Sequence, residues 1–257
     1  MHPFANPIFR RLVETLEDHD RVLQMSIQGI SQLAKSAPLA EALSDLEKLY
    51  TAQGEAGRWE QVDVEEAKLV AGFAQKELDR GFPILHAHSI VSLWGVLEAF
   101  VEDLVIAYLN ARPSLLDSPN LSNIKIALAE YEQLEKVERL RYLLAEFART
   151  SKADLKQGVS RFEILLDVVG LSGAVEDDVK HSIFELGQVR NVIVHRGGIA
   201  DRRVATSCPW LHLAIGETVI ITHSMYTRHR KAIDQYLAKL VERIVIAERV
   251  AGEQSKL

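Results

Sequence analysis

Apolar residues return every three or four positions along almost the whole chain. Leu12, Leu16, Leu23, Ile27, Ile30 and Leu33 do so across residues 7–35. An α-helix turns once in about 3.6 residues, so this spacing puts one greasy stripe on one face. Residues 39–54, 62–80 and 86–109 continue the pattern, punctuated by Pro38, Gly54 and the Gly81-Phe82-Pro83 break. After a loop marked by Pro113 and Pro119, residues 123–150 read as one long amphipathic helix. A polar link and a short apolar segment, RFEILLDVV (161–169), lead to a helix ending near Arg196, and a last helix runs from about 225 to 250. One stretch departs from this rhythm. LHLAIGETVIIT (211–222) places two short apolar runs around Gly216-Glu217, which predicts a β-hairpin. The expected fold is all-α with one small β-hairpin near the C-terminus. Residues 1–80 are expected to form an N-terminal helical extension and residues 81–257 the main helical domain.

A chain of 257 residues is long enough for a sizeable core. With 47% apolar and 26% charged residues it matches neither a disordered nor a fibrous protein. Cys208 is the only cysteine, which excludes an internal disulfide and a cysteine-based zinc site and suits a reducing, cytoplasmic setting. With no neighbouring motif, it reads as a buried, inert thiol. Prolines and charges interrupt the N-terminus, so no signal peptide is expected. The most apolar stretch, residues 88–109, contains Glu98, Glu102 and Asp103, so no membrane span is expected either. The net charge of −6 means that bulk charge would not hold this chain on a nucleic acid. Only local basic patches would. Arg196, Arg202 and Arg203 form one, and YTRHRK (226–231) another.

Two charges sit where burial is expected. On a helical wheel for residues 181–196, Ile183, Leu186, Ile193 and Val194 form one apolar arc, and Arg190 falls in its middle. Asn191 and His195 are four apart and share the neighbouring face with Gln188. On the wheel for residues 86–109, Glu98 falls inside the apolar arc. An unpaired buried charge costs several kcal/mol, roughly 3–5 when a partner is removed. Glu98 and Arg190 are therefore expected either to pair with each other or to line a common cleft or interface. A buried brace between core helices is one reading. A functional site is the other, because coupled titratable groups gather at active sites. His195 adds a group that passes protons either way near neutral pH.

These residues carry a resemblance. RNVIVH (190–195) fits the Arg-x4-His motif of the HEPN superfamily, with a polar residue directly after the arginine, on a late helix that stops at Gly197-Gly198. SLWGVLEAFVEDL (92–104) resembles the first core helix of that family, with Glu98 in its acidic position. The expected hairpin and closing helix resemble HEPN branches of bacterial defence and toxin systems. The likeness spans about residues 84–250 and leaves residues 1–80 without a counterpart. It implies a HEPN-like bundle of four or five helices that forms a homodimer through the motif helices. It also implies metal-independent endoribonuclease activity on RNA in a toxin–antitoxin or phage-defence setting, with an antitoxin or regulatory protein as a further partner. In this reading Arg190, Asn191 and His195 are catalytic. Arg190 holds the phosphate, His195 is the general acid or base, and Asn191 positions the phosphate or orients His195. Glu98 keeps Arg190 in its rotamer, and Arg196, Arg202 and Arg203 bind RNA. The alternative is a non-catalytic dimeric HEPN module that binds nucleic acid or a partner protein. Gly197 stands where some HEPN toxins carry a tyrosine modified by a partner nucleotidyltransferase, which puts that route of regulation in doubt here.

No cofactor and no metal are expected. His86 and His88 lie two apart on a helix and point to different sides. No glycine-rich phosphate loop precedes a helix. Trp210 follows a proline and is a candidate for stacking on a base, although core packing is the commoner fate of tryptophan.

Overall fold

The computed structural model describes residues 4–53, 63–122, 124–153 and 156–254. Ten α-helices run through these residues: α1 (Asn6–Leu33), α2 (Ser36–Ala52), α3 (Val64–Arg80), α4 (Pro83–Ala111), α5 (Leu128–Glu132), α6 (Lys136–Thr150), α7 (Val159–Asp167), α8 (Asp177–Arg196), α9 (Arg202–Ser207) and α10 (His223–Gln254). No β-strand occurs among the described residues. The all-α class is therefore what the periodicity predicts, and no helix among the described residues is long and apolar enough to cross a membrane.

The chain divides into two compact units. The larger comprises Met1–Glu17, Ile90–Val219 and Ser224–Leu257, and the smaller Asp18–Ser89 and Ile220–His223. This division differs from an extension ending at residue 80, because the first turns of α1 belong to the larger unit. Phe9 packs edge-on against Phe100, with ring centroids 4.8 Å apart, and Arg11 pairs with Asp103.

In the larger unit the core comes from the apolar stripes of four helices. Leu93, Leu97 and Leu104 of α4, Phe162 of α7, Ile183 and Leu186 of α8, and Ile233 and Leu240 of α10 are all fully buried. Each such side chain contributes about 1.5–3 kcal/mol by leaving water. One cluster of polar groups is paired across this core. Tyr236 donates its hydroxyl to Glu163 at 2.8 Å, and Arg243 donates to the same carboxylate at 2.9 Å and to the carbonyl of Leu171. Burial, then the charge of Glu163, pushes the Tyr236 phenol well above its ordinary range. In the smaller unit α2 packs on α3, with Lys68 reaching Glu41 at 3.1 Å. Asp63 caps α3 by accepting the Glu66 N–H, and a left-handed Gly81 ends it. The His86 ring, buried in the same unit, lies with Nε2 3.2 Å from His223 Nδ1.

Two expected elements differ. The single helix over 123–150 is broken into α5 and α6 at residues 133–135. The Arg139 side chain serves the break by donating to the carbonyls of Glu132 and Leu134, each at 2.8 Å. The hairpin over 211–222 is absent. The segment makes one isolated antiparallel bridge, Ile199 to Thr218, with the loop that follows α8. Ala200 N donates to Glu217 O and Val219 N to Gly198 O, both at 2.8 Å. Val219 and Ile221 go into the interior, while Ile215 and Ile220 stay exposed. The segment thus satisfies its backbone against a neighbouring loop, and the alternation that suggests a strand comes from two inward-facing anchors.

Candidate functional site

Helix α8 begins with Asp177 and Asp178 in its first turn and ends with His195 and Arg196 in its last, charges that suit the two ends of a helix dipole. Gly197, in the left-handed region, closes it. Along its length α8 buries Ile183, Leu186, Val189 and Val192, so the helix is fixed on its apolar face. Arg190 and Asn191 are half-buried and His195 is exposed, and all three line one crevice of about 760 Å3.

Close helix contact forms the walls of this crevice. At Gly187 a Cβ would lie 2.9 Å from Cζ3 of Trp94, so only glycine lets the indole of α4 lie on α8. At Gly158 a Cβ would lie 2.9 Å from the Phe184 Cα, and the backbone there has φ of +58°. That glycine seats the start of α7 against α8 and brings Lys156, Gln157 and Arg161 to the same opening. Gln188, almost fully buried, donates from Nε2 to Gln157 Oε1 at 2.9 Å.

Glu98 lines this crevice, as does Arg190, but the two do not pair. Glu98 Oε1 is 2.5 Å from Arg161 Nη1, and the two side chains are about a quarter exposed. The expected role of Glu98 as the group that holds Arg190 is thereby corrected. α7 places a nearer guanidinium beside the carboxylate, and both groups face the cleft and not a dry core. Arg190 Nη1 donates instead to Asn191 Oδ1 at 3.2 Å, and its Nε is buried with no hydrogen-bond partner among the described residues. Arg190 has no carboxylate within ion-pair distance among those residues.

Arg196 and Arg203 also line the crevice, whereas Arg202 does not. Asp201 accepts the Val204 N–H at 3.0 Å and so caps α9, and it lies 3.5 Å from Arg196 Nε. That backbone hydrogen bond first, and the nearby Arg196 and Arg203, hold the Asp201 carboxyl below its usual range against a small opposing push from burial. Among the described residues, five cationic side chains thus face two carboxylates in the opening of a chain whose net charge is −6. A concave surface with that local excess attracts anions.

Lys156, Gln157 and Arg161 escape the sequence reading because residues 151–160 carry no periodic pattern. One signal is visible in retrospect: Arg161 stands in the first turn of α7, where the dipole disfavours a cation, and so needs a nearby acid. In the other basic patch Lys231 is exposed, but its remaining cationic residues are engaged or buried. Arg228 pairs with Glu185, His229 is fully buried, and Arg230 pairs with Asp234. Trp210 donates its indole N–H to Glu185 at 2.6 Å and lies 4.0 Å from the His181 ring. Cys208 is buried, and burial, with the charge of Glu185, pushes its thiol up to about 12, as suits an unreactive group. Among the described residues no three His, Cys, Asp or Glu side chains gather as metal ligands would.

Comparison with known protein families, with curated proteins and with solved structures finds no match for this chain.

Proposed function

We propose that this chain is a metal-independent endoribonuclease of HEPN type, at work in a bacterial toxin or phage-defence setting. The observation that supports this reading best is the meeting of Arg190, Asn191 and His195 at one open, cation-rich crevice. Arg190 has a planar fork of donors with no carboxylate partner among the described residues, which leaves it able to take a phosphate in two hydrogen bonds. In the reaction the ribose 2′-oxygen attacks the adjacent phosphorus. The new O–P bond forms, the bond to the 5′-oxygen breaks, and the products are a 2′,3′-cyclic phosphate and a 5′-hydroxyl. His195 takes the 2′-hydroxyl proton or supplies one to the leaving oxygen, a contribution of about 10²–10⁴ in rate. Arg190 stabilises charge on the non-bridging oxygens. Asn191, bonded to Arg190, fixes the direction of that guanidinium. Arg196 and Arg203 draw the RNA backbone to the mouth.

One observation favours the non-catalytic alternative, a dimeric module that binds nucleic acid or a partner protein. Among the described residues His195 is the single imidazole on the crevice, whereas two-sided proton transfer uses two groups. A homodimer joined at the motif helices would supply the second from its twofold mate. An antitoxin or regulatory protein would act by covering the same opening. The test is cleavage of mixed RNA in the presence of EDTA by the native chain and by His195→Ala. Cutting by the native chain alone, with equal melting temperatures, supports the nuclease. No cutting by either across varied RNAs removes it and leaves the binding module.

A further inference from the structure

The cations of the crevice recognise phosphate, and phosphate is the same in every nucleotide. Contacts to it position a nucleic acid without reading its sequence. Reading a base needs neutral groups that offer a donor and an acceptor side by side, as a carboxamide does. Three carboxamides line the opening: Gln157, Gln188 and Asn191. The Asn191 oxygen already accepts from Arg190. Gln157 and Gln188 bond to each other once, Nε2 to Oε1 at 2.9 Å. A carboxamide has two N–H donors and an oxygen with two lone pairs. After their mutual bond, the pair still holds spare donors on both nitrogens and spare acceptor capacity on both oxygens. Gln188 is 3% exposed, yet neither of its amide atoms is a buried atom without a hydrogen-bond partner or access to solvent. The floor beside the pair is Trp94, held against Gly187, an apolar surface that suits the flat body of a base.

We propose that the Gln157–Gln188 pair reads the hydrogen-bonding edge of one nucleobase, which makes the crevice a base-selective site and not a general phosphate groove. The inference rests on the nuclease reading above. Mutual bonding fixes both carboxamides in direction, so their spare donor and acceptor are presented in a set orientation. A base with the matching edge replaces water at both. A base with the opposite pattern leaves a buried amide unpaired, and one good two-point contact discriminates by about 1–3 kcal/mol, a factor of roughly 10–100.

The experiment uses the full chain and four single-stranded RNA oligonucleotides that differ only in the base beside one cleavable linkage, with kcat/KM measured for each. The native chain is expected to prefer one base by about tenfold or more. Gln157→Met and Gln188→Met are expected to lower the rate on that preferred substrate to the level of the others while leaving the others little changed. Loss of a purely structural contact would lower all four rates together and keep their ratios, and that result overturns the proposal. Equal cutting of all four by the native chain also overturns it and leaves the nuclease reading standing. No cutting of any RNA by the native chain removes both. Should Gln188→Met lower the melting temperature sharply, Gln157→Met, at the more exposed partner, decides the question.

Discussion

The middle of helix α8 and its C-terminal part carry charges of opposite kind and opposite fate. Near the middle, Glu185 is 1% exposed, yet every direction around its carboxylate is occupied. Trp210 donates to it, Arg228 pairs with it, and His229 Nε2 lies 3.2 Å away. Burial pushes the Glu185 carboxyl up, but His229, Trp210 and Arg228 together outweigh it, and the net direction is down. Five residues further on, Arg190 faces a crevice with only Asn191 bonded to it among the described residues, and His195 stands exposed just over one turn later. One helix thus holds a charge that its own fold satisfies and a charge that its fold leaves to something else. The first is architecture. In the proposed function the second is the group that receives an external anion.

Substitutions in the two regions should therefore separate stability from activity. His195→Ala is expected to lower RNA cleavage by about 10²–10⁴ and to leave the melting temperature unchanged, as a cleavage assay with parallel calorimetry would show. Equal loss of both would dissolve the contrast. Glu185→Ala should do the reverse and cost about 3–5 kcal/mol in urea unfolding, since it strands a buried cluster. A loss under about 1 kcal/mol would mean the cluster is not a brace. The same carboxylate sets an acid limit. Its folded pKa is depressed, so its stabilisation is complete above the ordinary carboxylate range and fades as pH falls through the folded value. Urea midpoints of the native chain should fall steeply there, and those of Glu185→Gln should fall less. Glu98→Ala removes a pair that is about a quarter exposed on each side, and should cost about 1 kcal/mol or less. The smallest stability effects belong to His195→Ala and Arg190→Met. With no carboxylate to abandon among the described residues, Arg190→Met should shift stability by about 0.5 kcal/mol or less in either direction while abolishing RNA cleavage. A large stability loss there would place Arg190 with Glu185 as structure.

Much of this arrangement is legible in the chain itself. Helical spacing locates α1, α3, α4, α8 and α10 within a few residues, because a stripe of Leu, Ile and Val every three or four positions is a local property. The break between α5 and α6 is not legible, since no proline or glycine marks it and the capping comes from the side chain of Arg139, five and seven residues beyond the carbonyls it serves. The hairpin expected at 211–222 fails for a related reason. Alternating apolar residues report which side chains turn inward, and the partner of the backbone is chosen by the loop after α8. The misplaced charges are visible on the wheels, but their partners are not. Glu98 meets Arg161 and not Arg190 because α7 seats itself on α8 at Gly158, a contact between residues far apart in the chain.

The order of amino acids by itself determined a helical chain, though it also suggested a hairpin, and singled out Arg190 as out of place on a greasy helix, with Asn191 and His195 on the neighbouring face. Periodicity and capping act within a few residues, so they can be read along a line. Tertiary structure alone decided that α7 forms the opposite wall, that Gln157, Gln188 and Arg161 join the opening, and that Glu185 is closed while Arg190 is open. Those outcomes depend on which helices touch, and at Gly158 and Gly187 on the absence of a single methyl group.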